Sequence, residues 1–435
     1  ILPIINEDIN EEWISDKTRY ACDGLLNQRL DSPYIKYNKK FEKASWDEVY
    51  KIIKSKIENS NKDKICGFVG DLMNMESCFI FKEFFDRTIG NSNYEFRSSN
   101  IFVDNSLREN YLFNSTINGI EESDYIFLIG TNPRYEATIL NARIRKSYLN
   151  KKLKIISLND VGDLTYPYQS LDGKTQTLKE IFENKNQISK EILNSKKPMI
   201  ILGESFFKVR SSEYLFNLIK DFLKINQKIN NEWNSLNVLS ADASTVGCLD
   251  LDLMNKNYDL LEELNQNKFE IVFLFGQDNL KFKKKNEFVI YQGSHGDKGA
   301  EIADIILPGA SYTEQSGHYT NLEGKLQKAY KASYPPGDAK EDWQIINDLA
   351  EKMNNRKLFN DKDEVESSML NYLKVKKERE KTVSVQKIKN DSFKNVNLNI
   401  LVKDYYFSNV IARSSKTMLD CKNAKLNIRR TGTEG

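Results

Sequence analysis

The chain is predicted to be an α/β protein built from two doubly wound parallel-sheet lobes. Three observations carry this. Tyr125–Gly130, Met199–Gly203 and Ile271–Gly276 are each an apolar run stopped by glycine. Runs apolar on both faces are what a buried parallel sheet requires. Amphipathic stretches of helical period alternate with them. Finally, 435 residues, 40% of them hydrophobic, exceed what a single core holds, about 250 residues.

In chain order, Ile65–Val69 reads as the first interior strand and Met75–Ile89 as the helix after it. Tyr125–Ile129 leads into a helix predicted over Tyr135–Leu149, and Lys154–Leu158 is the next strand candidate. Met199–Leu202 is followed by the helical pattern Ser212–Ile225, and Asn237–Leu239 by Tyr258–Leu264. Ile271–Phe275, Phe288–Tyr291 and Ile302–Leu307 complete the strands, the last ending at Pro308-Gly309. Ligand crevices of such folds lie outside the carboxyl ends of the strands. After Trp343–Met353 the composition changes. Lys357–Asn397 is polar and charged and reads as solvated helix and linker, and Leu398–Cys421 as an amphipathic piece docking onto this chain's own body.

Lys+Arg 64 against Asp+Glu 62 leaves a net charge of +2. No overall field draws nucleic acid or an anionic membrane, so no nucleic-acid partner is expected. The apolar runs are far shorter than the ~20 residues a membrane helix needs, so no direct span is expected. Five scattered cysteines (Cys22, Cys66, Cys78, Cys248, Cys421) contain no C-x-x-C pair; they read as unpaired thiols and not as cluster or zinc ligands. The chain opens at Ile1 with neither methionine nor presequence, which reads as a processed chain or the downstream part of something longer.

Two glycine-rich loops are the candidate binding sites. Tyr291–Ala300 holds Gly293, Gly296 and Gly299, spacing that suits either amides approaching an anion or tight turns alone. Thr131, Asn132, Pro133 and Arg134 follow the Gly130 strand end and open a helix. There a helix start could receive a phosphate, or simply be capped, with Arg134 and Glu136 pairing at the surface. His295 and His318 are predicted to be loop or surface residues, and Asp297 is placed to orient the first imidazole. No activated nucleophile, no G-x-G-x-x-G after a strand and no G-x-x-x-x-G-K-[ST] is present, so no catalytic residue is assigned.

Several blocks carry a resemblance to a known family: Asn6–Arg19, Gly130–Arg134 with Asn141–Lys146, Tyr291–Gly324, Pro335-Pro336-Gly337, Glu341-Asp342-Trp343, Asp404-Tyr405-Tyr406 and Ser414–Cys421. In these the chain closely resembles the large iron–sulfur subunit of respiratory complex I, in its carboxyl-terminal, molybdopterin-oxidoreductase-like part only. The resemblance implies the two-lobed architecture of that family without its cap barrel domain, because the residues after Met353 lack alternating strands. The domains it implies are a leading segment 1–62 with 309–332 returning to it, a discontinuous first lobe 63–104 and 234–308, a second lobe 105–233 and a helical or extended polar tail 333–435.

It also implies a degenerate cofactor site. Family enzymes anchor a molybdenum or tungsten pterin through Cys, selenocysteine, Ser or Asp, whereas the matching segment Phe102–Tyr111 places the ligand position near Asn110, an amide with little affinity for a high-valent metal. The implied role is a non-catalytic structural module of the hydrophilic arm of mitochondrial NADH:ubiquinone oxidoreductase, on the matrix side of the inner membrane. No cofactor is then expected in this chain. Iron–sulfur clusters belong upstream or on neighbouring subunits, and partners include the cluster-bearing part and the flavin-binding module. The alternatives are an active molybdopterin-dependent oxidoreductase of the formate-dehydrogenase type and a two-lobe sugar- or nucleotide-binding receptor.

Overall fold

The computed structural model describes residues 1–431 except 100, 152, 256–258, 381–392 and 403. The expected helix start at Tyr258 and residues 381–392 of the polar run lie outside the described residues. The strands are β1 Tyr34–Tyr37, β2 Lys40–Lys43, β3 Ile65–Val69, β4 Tyr94–Glu95, β5 Tyr125–Ile129, β6 Lys154–Ser157 and β7 Gln169–Ser170. Then follow β8 Pro198–Gly203, β9 Leu236–Leu239, β10 Ile271–Phe275, β11 Phe288–Gly293, β12 Ile305–Pro308, β13 Gly317–Thr320 and β14 Leu326–Ala329.

The first lobe is a seven-stranded sheet in the order β2-β1-β12-β11-β10-β3-β4, the second a five-stranded sheet in the order β7-β6-β5-β8-β9. The second sheet is parallel throughout, and in the first β1 alone runs against the others, antiparallel to both β12 and β2. β3, β5, β8 and β10 are buried along their whole length, as their unbroken apolar runs require when helices cover both faces. β13 and β14 form a separate hairpin, and no sheet closes into a barrel among the described residues.

The sequence-derived boundaries need correction in three places. The hairpin β1–β2 within residues 1–62 is no separate segment, because Ile35 pairs with Ile305 and extends the first sheet. The leading segment is joined to the returning stretch by the Arg29–Glu314 ion pair and, at the surface, by Lys325 and Asp8. β9 falls in the second lobe, not the first: Leu236 pairs with Ile200 and its side chain enters that lobe's core. Ile302 is not a strand residue but closes a helical turn, Lys298–Ile302, so β12 starts at Ile305. The tail is less polar in effect than in composition. Helix Asp342–Asn354 buries Ile345, Ile346 and Leu349, and Val365 and Met369 of the next helix are also fully buried in the first lobe. Leu398 enters the second core, donating its amide to Gly173 O at 2.8 Å.

Strand order fixes where a ligand crevice would open. In each lobe the order reverses at one pair of neighbours, β3/β10 and β5/β8, the switch points where ligands of such folds bind. Glycine stands just past or at the end of all four strands. A Cβ on Gly70 would overlap Gly276 O, and one on Gly203 would lie 2.5 Å from Gly130 O. Bare glycine here lets one backbone lie against another, so the paired strand ends at each switch point close on each other.

Candidate functional site

Between the lobes, the position expected for a metal ligand, Asn110, is buried and committed to neighbours. Its Nδ2 donates to Asp104 Oδ2 at 2.9 Å and Ser106 Oγ at 3.1 Å, while its Oδ1 accepts from the Lys220 ammonium at 3.2 Å. Lys220 also pairs with Asp104 at 3.3 Å. One turn away Arg108 holds Asp250 through two hydrogen bonds, 2.9 and 2.8 Å, and Tyr111 donates to the same carboxylate at 2.9 Å. This charge-paired lattice crosses the lobe junction where an enzyme of this fold would need an empty, reactive pocket.

The Thr131–Arg134 loop is likewise self-occupied. Its helix is a single turn, Pro133–Glu136, broken at Ala137 before a second helix, Thr138–Lys151. Glu136 turns back so that its Oε2 accepts from the Asn132 amide at 2.6 Å and the Thr131 hydroxyl at 2.7 Å. Burial, with a smaller push from Glu204, raises its pKa. Arg134 pairs with Asp163 at 2.6 Å, so the expected Arg134–Glu136 pair does not form. A phosphate at this loop would meet a carboxylate already on the Asn132 amide and the Thr131 hydroxyl.

The Gly293–Ala300 loop repeats the arrangement. Asp278, just past Gly276, accepts from the Gly299 amide at 3.1 Å and the Tyr291 hydroxyl at 3.0 Å. Burial and then Asp297 push its pKa up to about 7. Gly299 is wedged against the Tyr291 ring and Gln277 O, whereas nothing lies nearer than 3.8 Å to a Cβ on Gly296. The carboxyl-terminal tail reaches this loop: Arg413 Nε donates to Asp297 Oδ2 at 2.7 Å, and Nη1 to Asn279 at 3.3 Å. Asp342 is held by the side-chain amides of Gln292 and Gln315, and burial pushes its pKa up to about 7.

Both histidines are buried, contrary to the sequence reading. His295 Nε2 donates to Gly24 O at 2.8 Å, which leaves Nδ1 to accept from Ser294 Oγ, also at 2.8 Å. Burial lowers its pKa to about 4, so the ring is neutral and Asp297 does not orient it. His318 Nδ1 donates to Glu76 Oε1 at 2.5 Å, and Glu76 Oε2 accepts the His318 amide at 2.7 Å. Among the described residues Glu76, His318 and Glu366 alone form a grouping with metal-ligand chemistry. Its outer member already holds the Lys328 ammonium, 2.8 Å from both oxygens.

The two enclosed cavities nearest the strand ends are small. A cavity of about 70 Å³ at the lobe junction is lined by Asp71, Asp104, Asn110, Glu204 and Asp242, among others. One of about 50 Å³ lies between the two glycine-rich strand ends of the first lobe and the tail, beside Asp278, Asp342 and Arg413. Ordinary ligand pockets hold ~300–1,000 Å³. A groove of about 720 Å³ adjoins the junction cavity, shares Arg97, Ile101, Phe102, Val103 and Phe207 with it, and opens to solvent past Lys208 and Arg210. The residues present therefore do not fit a metal-bearing pterin: its anchor position is bound and its phosphate loops carry carboxylates. Sequence reasoning missed Asp278 and Arg413, took Glu136 for a surface partner of Arg134, and met Asp342 only within a block of resemblance. Only Asp278, two residues past a glycine-stopped strand, left a local signal.

Family models match most of the chain. One described as molybdopterin oxidoreductase covers residues 29–352. One for the NADH-ubiquinone oxidoreductase NDSU1/NuoG-like 4Fe-4S domain covers 1–23, where Cys22 is the one cysteine. A third, for the carboxyl-terminal region of the corresponding NADH-ubiquinone oxidoreductase subunit, covers 364–421. The NADH-ubiquinone oxidoreductase 75 kDa subunit of Reclinomonas americana is 38% identical over 98% of this chain and 65% of its own length. The mitochondrial 78 kDa subunit of Candida albicans is 37% identical, over 97% and 60%. An NADH-quinone oxidoreductase subunit of Rickettsia bellii is 38% identical, over 98% and 62%. The chain thus spans 60 to 65% of the length of these relatives. Among solved structures, a chain of the formyltransferase/hydrolase complex of Methylorubrum extorquens matches with TM-score 0.53 at 10% identity, over 74% of this chain and 99% of that one; it is a likeness of fold alone.

Proposed function

This chain belongs to the molybdopterin-oxidoreductase family, in the branch formed by the large NADH-ubiquinone oxidoreductase subunits, and from that membership we propose that it is a non-catalytic structural module of the hydrophilic arm of mitochondrial respiratory complex I. The observation that carries the reading is that carboxylates of the chain itself, Glu136 and Asp278, sit on the loop amides that a dinucleotide phosphate would need. A fold kept while its crevice is filled serves as scaffold. The loops at Thr131–Arg134, Gly293, Gly296 and Gly299 are turns, the ligand position at Asn110 is part of the lobe junction, and the chain binds no metal or pterin.

Its partners in this reading are the cluster-bearing part of the same subunit and, beyond it, the flavin-binding module. The leading segment favours such a neighbour: Leu2 is 81% exposed, Ile4 88% and Leu26 82%, with Ile5 and Trp13 also more than half exposed. Large apolar side chains gathered on one segment mark an interaction face. No helix among the described residues is long and apolar enough to cross a membrane; the chain attaches through partner proteins, on the matrix side of the inner membrane. The rival formate-dehydrogenase-type enzyme requires a side-chain metal ligand and an open pocket at Asn110.

Isolating the native assembly and identifying the chains that co-migrate with this one tests the proposal. Co-migration with NADH-oxidising activity, flavin and iron–sulfur clusters is expected. A particle that carries stoichiometric molybdenum or tungsten, or one without respiratory-chain companions, would overturn it.

A further inference from the structure

Five free thiols are distributed unevenly: Cys22 and Cys421 are exposed, while Cys66, Cys78 and Cys248 are buried. Two of the buried ones meet. Cys78 lies in the helix Met75–Phe84 and Cys248 in the helix Thr245–Asp250, 170 residues away, yet their Sγ atoms stand 3.8 Å apart. Gly247 explains the approach. A Cβ there would lie 2.9 Å from Met75 Cγ, so the missing side chain lets the two helices pack backbone against side chain and aims the next residue, Cys248, at Cys78.

We propose that Cys78 and Cys248 are an oxidisable dithiol that closes to a disulfide under peroxide. The balance is simple: one thiol attacks peroxide to give a sulfenic acid and water, and the second thiol displaces hydroxide from that sulfur, releasing a second water and leaving the S–S bond. Two thiols are oxidised and one peroxide is reduced. Closing the gap from 3.8 Å to the ~2.05 Å of a disulfide takes about 1.8 Å of sulfur movement, within reach of side-chain rotation at both residues. Cys66, buried without a neighbouring cysteine, has no such partner among the described residues.

The location gives the bond a consequence. Cys248 is two residues from Asp250, which receives Arg108 and Tyr111 at the lobe junction, and the start of its helix is tied to β3 by Ser244 donating to Gly70 O at 2.8 Å. The disulfide would fasten the junction segment to the first lobe's core. Burial raises the Cys78 pKa well above the usual thiol range, so thiolate is scarce and reaction slower than at exposed Cys22.

The test treats the folded full-length chain with hydrogen peroxide, blocks remaining thiols after denaturation, and maps non-reduced peptides by mass spectrometry. A Cys78–Cys248 linked peptide is expected, formed more slowly than oxidation at Cys22, reversed by dithiothreitol and absent from Cys248→Ala. Before reversal, the oxidised wild type should unfold at a higher temperature than the reduced one, a shift that Cys248→Ala does not show. Recovery of Cys78 and Cys248 as blocked thiols after peroxide exposure far longer than full oxidation of Cys22 and Cys421 requires, with the chain still folded, would overturn the proposal. So would linkage appearing only in denatured protein, or linkage of Cys66 in equal amount. Should Cys248→Ala fail to fold, Cys248→Ser serves as the control, with dimedone trapping the stranded sulfenic acid at Cys78.

Discussion

Replacing Asp278 by asparagine is expected to stabilise the protein at pH 8 and to leave it unchanged or weaker at pH 5. In the unfolded chain this carboxyl loses its proton near 3.8; in the fold, burial and Asp297 hold the proton until about 7. Between those values the folded state binds more protons than the unfolded one, so stability falls as pH rises and is flat above about 7. At 1.36 kcal/mol per pH unit, the distance from 3.8 to about 7 corresponds to about 4 kcal/mol of lost stability. Water penetration and relaxation reduce this to roughly 2–3 kcal/mol. Asparagine is neutral and nearly isosteric and keeps one acceptor oxygen for the Tyr291 hydroxyl or the Gly299 amide, at a cost of about 1 kcal/mol for the altered hydrogen bonds. The net gain at pH 8 is about 1–2 kcal/mol; at pH 5, just over a third of the way from 3.8 to about 7, the wild type has lost roughly 1 kcal/mol on the same scale, which offsets the hydrogen-bond loss and leaves the two proteins about equal. Urea unfolding followed by tryptophan fluorescence from pH 5 to 8.5 measures it. Asp342, also raised to about 7, contributes its own slope to both proteins, so the difference between variant and wild type isolates Asp278. A variant weaker than wild type at every pH, with the same pH slope, would refute the burial of an ionising carboxylate at this loop.

Three further outcomes are expected. Glu136→Ala removes the acceptor of two donors, Asn132 N and Thr131 Oγ1, and should cost about 2–4 kcal/mol in denaturant melts, whereas Glu136→Gln, which keeps an acceptor, should cost less than about 1.5; equal losses would contradict the cap. Gly203→Ala drives a methyl into the Gly130 carbonyl and should cost more than about 3 kcal/mol, while Gly162→Ala, with open space around it but φ +76, should cost only about 1. Similar losses would show that the paired glycines do not close the switch point. Mononucleotides and dinucleotides at millimolar concentration should leave the melting temperature unmoved; a rise of several degrees would favour the two-lobe receptor reading.

The interior strands were legible because burial on both faces leaves a run such as Tyr125–Ile129 no polar positions. β1 went unrecognised within the leading segment and β9 was put in the wrong lobe for the opposite reason: four residues carry no mark of which sheet will take them, and β9 lies in sequence next to elements of the other lobe. Both histidines were misread because their burial is set from afar: Glu76 lies 242 residues from His318, and Gly24 271 from His295. The two glycine-rich loops were visible, but not what fills them. Glu136 reaches back onto the Asn132 amide and Thr131 hydroxyl at the start of its own turn, and Arg413 arrives from a tail whose apolar spacing shows no single face. In the tail, Val365 and Met369 sit among charged neighbours, so composition suggested solvent where the fold supplies core.

If the chain's own side chains occupy a former cofactor crevice, the native protein holds no pterin-bound metal. Metal analysis of the purified native assembly for molybdenum and tungsten, with pterin fluorescence read after acid denaturation and oxidation, tests this most directly. Neither metal nor pterin in stoichiometric amount is the expected result; one pterin-bound molybdenum or tungsten for each copy of this chain would contradict it.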